Sequence, residues 1–235
     1  MTTTTCLHCG AATSNGLVLC DLCQMVTAKA LVEANGDADV AAVVRAFRVA
    51  VEVTGGNPLL VSELLAAGHD TSAASLAWAF ERLARHPAVH ARLREGEPAY
   101  LEAVVKEVLR VRPALTIAPR RLLEPARIAG RALPAGIHVA ACLWLALRRE
   151  DLWPQAAAFR PERWLDGPPP NPMSWIPFGG GVRRCAGAPF AEMEMREVLR
   201  AAADLTIRPV RPEPEQARRS ALVVTPDCGG EVLVG

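Results

Sequence analysis

Phe178-Gly179-Gly180-Gly181-Val182-Arg183-Arg184-Cys185-Ala186-Gly187 is the stretch from which the rest of the chain can be read. A cysteine sits in a glycine-rich loop directly ahead of a helical pattern that opens at Ala188. Backbone N–H groups and a helix N-terminus near sulfur both favour the thiolate. The glycines let the backbone lie close against a flat ligand. Arg183, two residues before the cysteine, can reach an anionic group on such a ligand. The alternative is a buried cysteine in an ordinary glycine-rich turn.

Outward from the loop, residues 150–187 form a long irregular stretch rich in proline and glycine. A coil of that length inside a compact domain is usually functional. After it, the pattern predicts a helix over Ala188–Asp204 and then short strands. Before it, Pro58 suits the first turn of a helix that runs through Gly68-His69-Asp70-Thr71 to Arg85, where His86-Pro87 stops it. Shorter helices are predicted near Ala88–Arg94 and Pro98–Val111. Ala114–Val139 alternates and turns at Gly130 and at Pro134-Ala135-Gly136, which reads as strands with a hairpin. A helical turn follows near Leu143–Arg149. The class predicted is mostly α with small β-sheets, an α+β fold.

Composition narrows the partners. The chain has 235 residues, 51% hydrophobic and 22% charged, enough for a packed core. A formal net charge of +1 argues against nucleic acid or an anionic membrane as a partner. Met1–Thr5 is polar and uncharged, unlike a secretory signal, and no apolar run reaches the roughly 18–20 residues of a membrane span. A cytoplasmic protein is expected.

Three segments differ in texture: 1–36, 37–58 and 59–235. The first holds Cys6-Leu7-His8-Cys9 and Cys20-Asp21-Leu22-Cys23, and ends in an apolar helix near Val26–Ala34 with a break at Asn35-Gly36. Outside a secretory context such pairs read as metal ligands before disulfides. Cys6, Cys9, Cys20 and Cys23 look like the four thiolates of a closed tetrahedral zinc site in a small zinc-ribbon-like module. The alternative is four reduced cysteines placed by chance. The second segment is a helical linker, with a helix near Asp39–Val53. Cys142 reads as a small core residue, Cys228 as part of a glycine-rich turn. His69, His86, His90 and His138 lack ligand spacing and read as surface or helix-end residues.

The loop meets the whole pattern F-x-x-G-x-R-x-C-x-G and resembles the haem-binding loop of the cytochrome P-450 family of haem-thiolate monooxygenases. The likeness runs from about Leu59 to Gly235, the carboxy-terminal half of that fold. It implies haem b, with Cys185 as axial iron ligand and Phe178, Arg183, Gly181 and Gly187 around the cofactor. A thiolate on haem iron pushes electron density that favours O–O cleavage. Three further motifs follow the family's order. Glu107 and Arg110, at i and i+3, share a helix face; the resemblance makes them a buried structural triad with Arg163 of Phe159-Arg160-Pro161-Glu162-Arg163-Trp164. Ala67-Gly68-His69-Asp70-Thr71 resembles the distal acid–alcohol pair, with Thr71 bonding dioxygen, Asp70 feeding protons and Gly68 loosening the helix. A solvated Asp70 and a Thr71 bonded to its own helix are the alternative. Arg120 resembles the strand arginine that pairs with a haem propionate, Arg121 being the neighbour that could replace it. Leu115–Ala118 would line an apolar substrate pocket.

The likeness covers only about half of a family member's length. The loop Glu95-Gly96-Glu97 is short, and Arg148 stands where a histidine is common. Residues 54–65 resemble a stretch of regulatory ATPases of the signal-transduction class, but no G-x-x-x-x-G-K-[ST] occurs and no nucleotide binding follows. The function implied is insertion of one atom of dioxygen into an apolar organic substrate, with electrons from a separate ferredoxin or flavoprotein. The alternative is a zinc-ribbon binding module joined to an inert P-450-derived half. With a few hundred Å² of apolar surface uncovered, at a cost of roughly 5–10 kcal/mol, haem would be held weakly and the chain would self-associate.

Overall fold

A computed structural model describes residues 4–5, 12–13, 58–167, 171–220 and 223–235. The helices predicted over 26–34 and 39–53, and Cys6, Cys9, Cys20 and Cys23, lie outside the described residues. The chain forms two compact units: Met1–His69 with Glu197–Ala202, and Asp70–Arg196 with Ala203–Gly235. In the first unit, β1 (Thr4–Thr5) pairs antiparallel with β2 (Ala12–Thr13), Thr5 opposite Ala12.

Proline sets the start of three helices: α1 (Pro58–Arg85), α2 (Pro87–Leu93) and α3 (Pro98–Val111). A ring at the first turn sacrifices no hydrogen bond, because that N–H has no intrahelical partner. Pro87 also ends α1, and α2 begins there, one residue before the predicted Ala88. α3 is buried almost all round, through Tyr100, Leu101, Val104, Val105, Val108, Leu109 and Val111. It is the central element of the second unit, as a helix with little polar face must be. Trp78 and Leu83 of α1, Leu147 and Met195 complete that core.

The strands form small antiparallel pairs. β3 (Ile117–Arg121) pairs with β6 (His138–Cys142), Ile117 opposite Cys142 and Arg121 opposite His138. Between them β4 (Ala126–Ile128) and β5 (Arg131–Leu133) make the hairpin predicted at Gly130, which adopts φ +79°. The predicted strand region stopped at Val139, whereas β6 continues to Cys142 and runs into α4 (Leu143–Ala146). After the irregular stretch comes α5 (Ala188–Ala201). It ends three residues before the predicted Asp204, because the chain must turn for β7 (Ile207–Pro209) to pair with β10 (Val232–Val234). β8 (Ala217–Ser220) pairs with β9 (Val223–Pro226).

His90 stands at a helix end, in the last turn of α2, and is 5% exposed, facing the same side as buried Leu93. One single-residue reading changes. Cys142 is half-buried rather than a core residue, since it closes β6 at the rim of its sheet.

Candidate haem-thiolate site

The Cys185 loop is held by its own backbone. Cys185 N–H donates to the Phe178 carbonyl at 3.0 Å, and Arg184 N–H to that of Gly181 at 3.0 Å. Gly179 and Gly181 take φ +71° and +68°, values that side-chain-bearing residues rarely adopt. A 3-10 turn, Gly181–Arg183, then places Cys185 three residues ahead of α5, in whose first turn Ala191 N–H reaches back to the Gly187 carbonyl at 2.9 Å. Residues 181–186 are all exposed, the Cys185 thiol among them, and Phe178 and Gly187 are half-buried.

Behind the loop stands a row of rings. Phe178 and Trp175 have centroids 6.2 Å apart, Trp175 and Trp164 5.6 Å, Trp164 and Trp153 5.1 Å. Their N–H groups are used: Trp175 donates to the Lys106 carbonyl at 3.3 Å and Trp153 to that of Ser174 at 3.3 Å. The irregular stretch, whose described regular structure is three short 3-10 turns at Pro161–Trp164, Pro172–Ser174 and Gly181–Arg183, is thereby fastened to α3.

The fastening centres on Glu107. Its Oε1 accepts from Arg110 Nη2 (2.8 Å), Arg160 N (2.9 Å) and Arg163 Nε (3.1 Å). Its Oε2 accepts from Arg110 Nε (2.8 Å) and Trp164 Nε1 (3.0 Å). Glu107 and Arg110 are 0% exposed. Arg110 also donates to the carbonyls of Leu147, Ala156 and Ala158, and Arg163 to those of Pro154 and Gln155. Within this network the buried charges of Glu107 and Arg110 are paired and hydrogen-bonded, the condition under which such groups can be buried at all.

Asp70 and Thr71 lie on α1, which is continuous through Gly68. Asp70 is exposed and Thr71 half-buried, with Ser75 Oγ donating to the Thr71 carbonyl at 2.8 Å. On β3, Arg120 is exposed and its guanidinium donates to the neighbouring Pro119 carbonyl; Arg121 donates across to that of Gly136. Leu115 and Ile117 are 38% and 44% exposed, so the apolar wall at the entry to β3 is open.

These residues fit an anionic, flat, iron-bearing cofactor. The thiol is presented on a bare glycine-rich face, where no heavy atom lies within 4 Å of a Cβ built on Gly179 or Gly181. Arg183 and Arg120 make no ion pair among the described residues and so keep charge for an anionic group.

Some features had no clear signal in the sequence. Trp78 reaches Val224, and Gly230 lies against Ala77. Trp144 has the Arg148 guanidinium 3.8 Å from its ring centroid and that of Arg112 at 6.0 Å. Burial first, and neighbouring arginines second, disfavour the charged forms and lower both arginines to about 10. Glu215, Asp227 and Cys228 bring ligand atoms within 4.8 Å of one another. Glu215 accepts from the N–H groups of Cys228 and Gly230, Asp227 accepts from that of Gln216, and Arg211 donates to the Cys228 sulfur, so the cluster shapes a turn.

The cytochrome P450 family model matches residues 59–202. The chain belongs to the cytochrome P450 family. It is 46% identical to cytochrome P450 135B1 of Mycobacterium tuberculosis over 147 residues, 58% of this chain and 31% of that protein. It is 40% identical to cytochrome P450 138 of Mycobacterium bovis over 185 residues, 76% of this chain and 41% of that protein. The chain thus spans about a third to two-fifths of the cytochromes P450 it matches. Retinoic-acid-bound cyanobacterial CYP120A1 shares the fold, with TM-score 0.66 and 24% identity, over 75% of this chain and 44% of that one. A zebrafish cytochrome P450 with progesterone matches with TM-score 0.61 and 26% identity, over 71% of this chain and 42% of that one. The chain has the carboxy-terminal part of the P450 fold, helices with small sheets. Among the described residues, no helix is long and apolar enough to cross a membrane.

Proposed function

We propose that the chain supplies the thiolate-bearing half of a haem-thiolate monooxygenase that inserts one atom of dioxygen into an apolar organic substrate. The exposed Cys185 thiol carries the reading, set on a glycine-rich face at the start of α5 and backed by the Glu107 network. Haem b, when bound, supplies the redox chemistry. Cys185 would ligate its iron, with Phe178, Gly181 and Gly187 forming the surface around it. Arg183 and Arg120, which make no ion pair among the described residues, would pair with the propionates, a strong bidentate contact. The Thr71 hydroxyl would hold a proton for the reaction, and Asp70, open to solvent, would renew it. Glu107, Arg110 and Arg163 touch no reacting atom and act by holding the Cys185 loop. Electrons would come from a ferredoxin or flavoprotein. An apolar substrate fits the open Leu115–Ala118 wall, and the two solved relatives hold retinoic acid and progesterone. A cytoplasmic setting suits the free thiols Cys142, Cys185 and Cys228.

The visible spectrum of the reduced, carbon-monoxide-treated protein tests this. A strongly red-shifted Soret band that Cys185→Ala abolishes supports the assignment. An unchanged band in Cys185→Ala overturns it.

A zinc-ribbon binding module joined to a catalytically inert P450-derived half is a second reading. The pairing of Thr4–Thr5 with Ala12–Thr13 around the sequence Cys6-Leu7-His8-Cys9 favours it. About one zinc per chain by elemental analysis, as four thiolate ligands would hold, together with no haem band, supports that reading over the first.

A further inference from the structure

We infer that Trp78 is a positioning residue, whose buried indole fixes the spacing between the α1 face carrying Thr71 and the apolar segment Leu115–Ala118. The inference rests on the monooxygenase reading, which makes those two surfaces walls of a substrate pocket.

Trp78 follows Thr71 by seven residues in α1, two helical turns, so both lie on one face about 10 Å apart along the axis. The indole is 0% exposed. Its Nε1–H donates to the Val224 carbonyl of β9 at 3.0 Å. The Val224 N–H in turn donates to the Ala114 carbonyl at 2.8 Å. Ala114 immediately precedes Leu115. Val224 therefore uses both backbone groups outside the β8–β9 ladder, one toward the Thr71 helix and one toward the apolar wall.

The bridge does not hang free. Gly230 sits where a Cβ would come 2.6 Å from the Ala77 carbonyl oxygen. Glu215 N–H reaches Glu81 at 3.4 Å, and Arg85 Nη1 donates to the Pro212 carbonyl at 2.8 Å. The carboxy-terminal segment is thus moored along α1 from Ala77 to Arg85, and β9 reaches the wall through the indole's partner. On the ring itself the Arg112 guanidinium lies 4.8 Å from the centroid, which fixes the tilt of the indole. Without the indole N–H, a buried carbonyl would lose its donor, and the wall could drift relative to Thr71.

Trp78→Phe keeps the ring and removes the N–H. In hydrogen exchange on the full chain, the Val224 amide and the amides of 115–118 should exchange about tenfold faster, while those of Val104–Val108 in α3 stay protected. Val224→Pro cuts the second link through an N–H that β8 does not use, and should speed exchange of the 115–118 amides alike, position 224 then having no amide to follow. In the haem-loaded chain, apolar ligands of graded length are titrated by the absorbance shift they induce. The preference between the shortest and the longest should fall at least about threefold, with the reduced carbon-monoxide band unchanged. A purely structural role would lower the melting temperature and weaken all ligands alike, which overturns the inference, as does unchanged exchange at Val224. A wild-type chain with no haem band sinks the monooxygenase reading and the pocket role together. An intact band with ligand preference unaltered in both variants sinks the inference alone.

Discussion

Replacing Glu107 with glutamine keeps the size of the side chain and removes its charge. The carboxylate accepts five hydrogen bonds, three on Oε1 and two on Oε2. An amide offers one oxygen. Its NH₂ group must face at least two donors, and with the oxygen in the Oε1 place these are Arg110 Nε and Trp164 Nε1. The Arg110 guanidinium, 0% exposed, loses its carboxylate counter-charge. Removing one partner from a buried ion pair typically costs about 3–5 kcal/mol. Glu107→Gln should therefore cost about 4 kcal/mol, near a thousandfold in the folded-to-unfolded ratio and a large share of a typical domain's 5–15 kcal/mol. Arg163→Ala removes one 3.1 Å contact from Glu107 and leaves four donors in place. It should cost about 1–2 kcal/mol, the size of one or two hydrogen bonds. Urea unfolding followed by tryptophan fluorescence reads both, since Trp153 and Trp164 stand in the network. The double variant should fall short of the sum by at least about 1 kcal/mol. Equal losses in the two single variants, or strict additivity, would refute the shared network.

Three other outcomes are expected. Gly230→Ala should destabilise by about 2–3 kcal/mol, because it adds a contact with the Ala77 carbonyl to a backbone held at φ +75°; denaturant midpoints check this, and a neutral change would show that the turn yields. Burial, and then the nearby Glu102, hold the Glu192 carboxyl above its ordinary value. Its ionised form is thus disfavoured in the fold, so Glu192→Gln should raise the melting temperature at pH 7 and lose that advantage as pH falls through the raised value; a gain constant with pH contradicts the sign. In the haem-loaded chain, Thr71→Ala should keep electron consumption but divert it to hydrogen peroxide, and an unchanged product yield per electron rules out a role for the hydroxyl.

Much of the fold was legible because its punctuation is local. Pro58, Pro87 and Pro98 open helices, and Gly130 marks a turn, for reasons contained in each residue's own backbone. The spacing of Glu107, Arg110 and Arg163 was readable only through the family pattern, since the pairing of Arg163 with Glu107 spans 56 residues. His90 was legible as a helix-end residue, but its burial was not, because α2 is too short for its apolar face to stand out. Trp78 gave no warning: an aromatic residue in an Ala- and Leu-rich helix reads as core, and its partner lies 146 residues away. Gly229-Gly230 read as a turn, while the approach to Ala77 that demands Gly230 depends on tertiary structure. Arg112 and Arg148 look like surface charges in sequence, and only the fold lays them beside Trp144.

The mooring of the last segment on α1 also sets an order in time. A ribosome adding roughly 5–20 residues per second needs about 7–30 s to go from Trp78 to Val224. Through that interval the indole, the Glu81 carboxylate and the Arg85 guanidinium have helix but not their distant partners, which are 146, 134 and 126–128 residues downstream. The nascent α1 therefore lacks these partners until Val224 has been added. Shielding by a holdase chaperone would matter more for this protein than its number of local contacts suggests. A stop codon placed just before Val224 should yield aggregate rather than a slightly shortened fold.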